Sequence, residues 1–223
     1  MKIELKYGRE GLMVDLADDL DVTVIRKPTM PVIEDSETAV VQALDNPVGT
    51  PPLRTLAETA TSATIAICDI TRPVPNGLFL RPMIEQLIGG GISADAITVI
   101  VATGLHRPNL GAELEELIGD SWVLRQVKVV NHYARDDDAH VLVGKTKTRG
   151  SIIRLDRRFV DADLRIVTGL VEPHFMAAYS GGRKVIAPGL AHAETITTFH
   201  NARFMGDPLA TSCNLQGNPL HEE

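Results

Sequence analysis

From residue 63 onward, short apolar runs alternate with longer amphipathic segments, an order that predicts strand, loop, helix and next strand in repetition. The strand runs are 63–68 (ATIAIC), 96–102 (AITVIVA), 127–130 (VKVV) and 164–168 (LRIVT). They are almost continuously apolar, as in a parallel sheet covered by helices on both faces. Between them, 78–88 and 112–118 read as helices, and Gly89-Gly90-Gly91 stops the first. Segment 151–155 reads as an additional edge strand. Ahead of residue 63, the runs 2–7, 11–16 and 22–26 alternate with period two, as in a small β-meander. A proline-containing connector at 27–31 follows; Ser36 then caps a helix reaching about residue 45, and 53–59 forms a second short one after Pro51-Pro52. The expected fold is α/β: a mainly parallel, Rossmann-like sheet flanked by helices, with a small N-terminal β-meander. Residues 1–60 form a β-rich extension with connecting helices, within the same domain as the α/β part at 61–223.

Composition narrows the partners. The chain has 223 residues, 44% hydrophobic and 23% charged, the make-up of an ordinary globular protein. A formal charge of -7 and a pI near 5.5 argue against nucleic acid, because a phosphate backbone is held by a basic surface. Cys68 lies in an apolar run and Cys213 in a polar tail, so no disulfide framework is indicated and a reduced setting is expected. The start, MKIELKYG, is no signal segment, and no apolar run approaches a bilayer span. The expectation is a soluble, cytoplasmic protein with no membrane partner.

The candidate chemistry follows the strands. Each strand runs into a polar, turn-rich segment, and in open α/β sheets ligands bind beyond the carboxyl ends of the strands. Asp69 and Arg72 sit three apart on a loop stiffened by Pro73 and Pro75. Arg72 offers a charged fork for a carboxylate, with Asp69 orienting a cofactor or the arginine; a helix cap and a structural ion pair stand as the alternative. His106 and His174 each follow a strand beside a proline, and two such histidines around one carbon can exchange protons on either face. Ser180-Gly181-Gly182-Arg183-Lys184 places two glycines beside two cations, where backbone N–H groups can approach phosphate. Lys184 reads as a phosphate partner, a surface charge, or a desolvated amine that bonds covalently. His200, ending a helical pattern, suits a metal ligand or a cation at a helix C-terminus. His132 occupies a strand end but also fits a turn. His140, His192 and His221 lie in polar surroundings without an assigned role, and Asp136, Asp137 and Asp138 read as a solvated loop.

Taken together, DITRPVPN, ATGLHRPN, VVNH, RRFVDADLRIVTGLVEPHFMAAYSGGRKVIAPG and AETITTFHN resemble the N-terminal domain of the nickel-pincer-dependent lactate racemase family, in order and spacing, from about Asp69 to Glu222. The resemblance implies a racemase or epimerase of a small, lactate-like 2-hydroxy carboxylic acid, working by proton-coupled hydride transfer. The implied cofactor is the nickel-pincer nucleotide, a pyridinium-3-thioamide-5-thiocarboxylic acid mononucleotide carrying nickel. By motif, Lys184 holds it covalently, His200 completes the metal coordination, and Asp69, Ser180, Gly181, Gly182 and Arg183 contact it. His106 and His174 become the catalytic acid/base pair and Arg72 the substrate carboxylate site. The family has a second, C-terminal domain that closes over the cofactor, and the sequence stops where that domain should follow. Two other readings stand beside this one: a non-catalytic nucleotide- or phosphate-binding domain completed by a partner, and a metal hydrolase with His106, His174 and His200 around zinc.

Overall fold

The computed structural model describes residues 1–8 and 10–223 and divides the chain into two units, Met1–Glu34 and Asp35–Glu223. In the first, β1 (Lys2–Leu5) pairs antiparallel with β2 (Leu12–Asp15), with Ile3 opposite Val14 and Leu5 opposite Leu12. That register collects four apolar side chains on one face. The third expected strand, 22–26, is not formed, so the unit is a two-stranded ribbon and not a meander. β-propensity alone makes no strand where no neighbour completes the ladder.

The second unit begins with α1 (Ser36–Asp45), and Asp35 rather than Ser36 is its cap: the Asp35 carboxylate accepts the Thr38 N–H at 3.0 Å. Both α1 and α2 (Leu53–Ala57) belong to this unit and pack against α3 (Asn76–Gly89).

After α2 comes β3 (Ala63–Cys68), which leads into α3; β4 (Ile97–Ala102) leads into α4 (Ala112–Ile118) and α5 (Ser121–Gln126), then β5 (Lys128–Asn131). An antiparallel hairpin, β6 (His140–Lys145) with β7 (Ile152–Asp156), and the short α6 (Arg157–Val160) precede β8 (Leu164–Val167). The 151–155 segment is therefore a strand, but it pairs with β6 outside the main sheet. The remaining elements are β9 (Pro173–His174), β10 (Ala178–Tyr179), α7 (Arg183–Ile186), α8 (Ala193–Phe199), α9 (Ala202–Met205) and α10 (Pro219–Glu222).

The main sheet has the order β5-β4-β3-β8 and every pair is parallel. Period-two alternation splits β3 between two cores. Ile65 and Ile67 meet Leu80, Ile84 and Leu87 of α3 on one face, while Ala66 meets Phe159, Val185 and Leu190 on the other. Burying each such aliphatic side chain stabilises the fold by roughly 1.5–3 kcal/mol, so the sheet is a rigid base for the loops it carries. The chain leaves β3 toward β4 on one side and reaches β8 on the other. This reversal opens a crevice at the carboxyl ends of the strands, where doubly wound sheets bind ligands.

Candidate active site

At that crevice lies a cavity of about 400 Å³. Its walls include Asp69 and Arg72 after β3, Thr103 to His106 after β4, and His174, Ser180, Gly181 and Lys184 after β8, with His200 at the end of α8. Because β4 and β8 flank β3 in the sheet, His106 and His174 come from the two sides of the loop bearing Arg72. Three of the expected strand-end segments thus converge. The fourth does not: His132, after β5, is buried outside the lining.

Asp69 is 4% exposed, and its carboxylate meets His106, Oδ2 lying 2.6 Å from the ring Nδ1. Its other oxygen accepts the Thr71 hydroxyl at 2.5 Å. The Asp69–Arg72 ion pair suggested by spacing is not formed, and Asp69 instead fixes the His106 ring so that Nε2 is the free nitrogen. The Arg72 guanidinium donates, at 3.3 Å, to the Thr71 carbonyl and hydroxyl.

His174 differs from His106 in its surroundings. Its Nδ1 accepts from the backbone N–H groups of Met176 and Ala177, at 3.4 and 3.3 Å. Burial, then the charges of Lys184, Arg72 and His200, push its pKa down to about 4. It is a neutral imidazole near pH 7, able to accept a proton at one nitrogen only if a neighbour compensates.

Lys184 starts from the turn Gly181-Gly182, both at positive φ, +71° and +50°. A Cβ on Gly181 would stand 2.8 Å from the Leu170 carbonyl oxygen, so this turn needs glycine for space as well as for conformation. The Ser180 hydroxyl braces the same turn, donating to the Leu170 carbonyl at 2.6 Å and accepting from Glu172 N–H at 3.1 Å. Burial, followed by the nearby Arg72 charge, brings the Lys184 pKa down to about 8. Gly182 and Arg183 fall outside the cavity lining, and the Arg183 guanidinium reaches the His221 carbonyl at 3.0 Å.

His200 closes α8 with its Nδ1 3.2 Å from the Ile196 carbonyl, which can only accept, so Nδ1 carries the proton and Nε2 keeps its lone pair. Burial and the Lys184 charge lower its pKa, which disfavours the helix-terminal cation and suits a metal ligand. Among the described residues, no three His, Cys, Asp or Glu side chains are grouped to hold a metal ion. The zinc arrangement of His106, His174 and His200 therefore lacks its ligand set. A metal bound at His200 would need most of its donors from a non-protein group. The partly deprotonated Lys184 amine, the close backbone approach at Gly181 and the cavity volume fit a tethered organic ligand of that kind.

Residues that sequence reasoning passed over hold these loops in place. Asn109 and Asn131 exchange two hydrogen bonds of 2.9 Å, and the Asn109 side-chain oxygen accepts Ile70 N–H at 3.2 Å, tying the loops after β3, β4 and β5 together. Both asparagines stood within the motifs quoted above; buried polar residues next to strand ends were the available signal. No helix among the described residues is long and apolar enough to cross a membrane.

A family model for the lactate racemase N-terminal domain matches residues 7–212. The chain is 34% identical to the lactate racemase of Thermoanaerobacterium thermosaccharolyticum and 35% identical to that of Lactiplantibacillus plantarum, with 99% of this chain and 52% of each relative aligned. The solved apoprotein of the Thermoanaerobacterium enzyme superposes with a TM-score of 0.85 at 33% identity, over 100% of this chain and 51% of that one. A Thermotoga maritima protein superposes with a TM-score of 0.58 at 25% identity, over 74% of this chain and 40% of the other. The chain spans about half the length of the lactate racemases it matches.

Proposed function

The chain belongs to the lactate racemase N-terminal domain family, and on that premise we propose that it is the cofactor-holding part of a racemase or epimerase of a small 2-hydroxy carboxylic acid. The observation that carries this reading is the cavity that brings Arg72, His106, His174, Lys184 and His200 together. Lys184 holds the nickel-pincer nucleotide covalently, His200 offers Nε2 to its nickel, and Asp69, Ser180 and the Gly181-Gly182 turn, with Arg183 beyond it, shape that side of the site. When bound, this group supplies a reversible acceptor for the hydride on the substrate Cα.

The side chains do the rest. Arg72 binds the substrate carboxylate through its planar fork and so sets where Cα stands. One neutral histidine takes the hydroxyl proton as the C–H bond is broken, which leaves a 2-keto acid; rotation of the bound keto acid presents its other face. The other histidine, entering the cycle as its imidazolium, gives a proton to the carbonyl oxygen as the hydride returns, so each turnover exchanges the protonation states of the pair. The two histidines are unequal partners. Asp69 orients His106 through Nδ1 and offers it a compensating negative charge, whereas His174 faces the cations Lys184 and Arg72 and releases a proton readily once it has accepted one. Leu105, Val171 and Phe175, 45%, 71% and 71% exposed and near these histidines in the chain, form an apolar rim suited to being covered by a further domain.

The test is intact-mass analysis of the chain produced in a host that makes the pincer nucleotide. The expected result is an adduct on the wild type that is missing from Lys184→Ala, together with conversion of one enantiomer of a 2-hydroxy acid into the other by the protein as its gene encodes it. Equal masses for the two proteins reject the covalent role. Mononucleotide binding without an adduct or nickel dependence favours a binding domain instead.

A further inference from the structure

We propose that His132 is a positioning residue that sets where His200 stands at the cavity, through the hydrogen bond from its Nε2 to the Ala191 carbonyl. The inference rests on the reading above in one respect, that His200 faces the reaction centre. The His132 side chain is 0% exposed and is not part of the cavity lining. Its Nε2 lies 3.1 Å from the Ala191 carbonyl oxygen, which can only accept, and its Nδ1 lies 3.1 Å from Asp156 Oδ2. Burial alone pushes the Asp156 carboxyl up, but hydrogen bonds from Arg158 and His132 outweigh that and hold it well below the usual carboxylate range. Asp156 is therefore an acceptor too, and both His132 ring nitrogens donate.

The partners of this ring are themselves fixed. Arg158 grips Asp156 with Nε at 2.9 Å and a terminal nitrogen at 2.6 Å, and that same nitrogen donates to the Asn131 carbonyl at 3.1 Å. Asp156 N–H donates to the Leu190 carbonyl at 2.9 Å, and the Thr103 hydroxyl donates to the His132 carbonyl at 2.7 Å. The ends of β5 and β7 thus form a stiff frame, to which residues 190–192 are attached by the Leu190 carbonyl, by His192 N–H, which donates to the Arg154 carbonyl at 3.0 Å, and, through the His132 side chain, by the Ala191 carbonyl.

From that attachment the chain enters α8 at once. His192 caps the helix, its Nδ1 accepting Glu194 N–H at 3.1 Å, and Ala193 N–H donates to Ala134 at 2.7 Å. His200 is the residue at the other end, its own N–H bonded to the Ile196 carbonyl at 3.0 Å. With about 1.5 Å of rise per residue, α8 is a short rigid rod, and a shift at its start is carried to His200 with little loss. An apolar residue could fill the volume of His132, yet would leave the Ala191 carbonyl and Asp156 with a buried acceptor each.

Two substitutions separate positioning from simple packing, because Gln places its amide nitrogen near the position of a histidine Nε2 and Asn near that of Nδ1. In the metal-free chain, His132→Gln is expected to keep the imidazole NMR shifts of His200 and His132→Asn to move them, although both variants melt at lower temperature than wild type. In the cofactor-loaded protein, His132→Asn should lose on the order of 10²-fold in kcat with KM for the hydroxy acid little changed, and His132→Gln far less. In the wild type itself, both His132 ring N–H protons should be visible and protected from exchange, a measurement that does not depend on either variant folding. Identical His200 shifts in the two variants, loss in Gln with retention in Asn, or a solvent-exchanging Nε2 proton each overturn the proposal. Absence of adduct and racemisation in the wild type rejects the proposed function alone, since the His200 shifts still report on His132.

Discussion

Lys184 pays for its chemistry in stability, and the amount follows from its surroundings. Burial and the Arg72 charge move its pKa from 10.5 to about 8, a displacement equivalent to about 3 kcal/mol. The sign is set by which state binds the proton. Below about pH 8 the amine is protonated in both states, and the folded state carries the whole penalty. Between 8 and 10.5 the unfolded chain still holds a proton that the folded one has released, so stability rises with pH through that window. Lys184→Met keeps the apolar stem and removes the charge. It should raise the unfolding free energy by as much as about 3 kcal/mol near pH 7, shrinking to about 1 kcal/mol near pH 9.5. Urea unfolding followed by the fluorescence of Trp122, the sole tryptophan, measures this in the α/β unit with linear extrapolation at each pH. A gain of equal size at the two pH values, or a loss at both, would show that the ammonium is well solvated or paired and that the desolvation argument is wrong.

Two further outcomes are expected. As pH falls from 6.5 toward about 4, the unfolded chain binds protons that His174 refuses, so stability declines over that interval; His174→Gln should flatten this limb in thermal melts at stepped pH, and an unchanged slope contradicts the assigned environment. Gly181→Ala and Gly182→Ala should separate in melting temperature: both meet a positive-φ cost of about 1–2 kcal/mol, but only the Gly181→Ala change adds a clash with the Leu170 carbonyl, while nothing lies within 4 Å of a Cβ at Gly182. Equal losses at the two positions would mean that the turn relaxes around the Cβ.

The sheet was readable because its information is local. Runs such as ATIAIC are apolar at every position but Thr64, as a strand buried on both faces requires; 112–118 emerged as α4 with the same bounds because its apolar positions recur at helical spacing. The hairpin partner β6, HVLVGK, escaped because its alternation is broken by a bulge between Leu142 and Gly144 and its neighbours are polar. The run 22–26 shows the reverse failure, a good strand sequence that lacks a partner. At the site, the residue types, their order and the family resemblance came from the sequence, since the chemistry of Arg72, His106, His174, Lys184 and His200 travels with their motifs.

What only the folded chain decided is which groups meet. Asp69 is three residues from Arg72 and 37 from His106, yet its carboxylate bonds the histidine. Arg183 adjoins Lys184 in sequence, yet its guanidinium bonds the His221 carbonyl, outside the cavity lining. His132 has the address of a site residue but sits behind the cavity, joined to Ala191 across 59 positions. Periodicity reports which face of an element is buried; charge pairing, desolvation and the direction of a hydrogen bond depend on distances between segments that no local pattern contains.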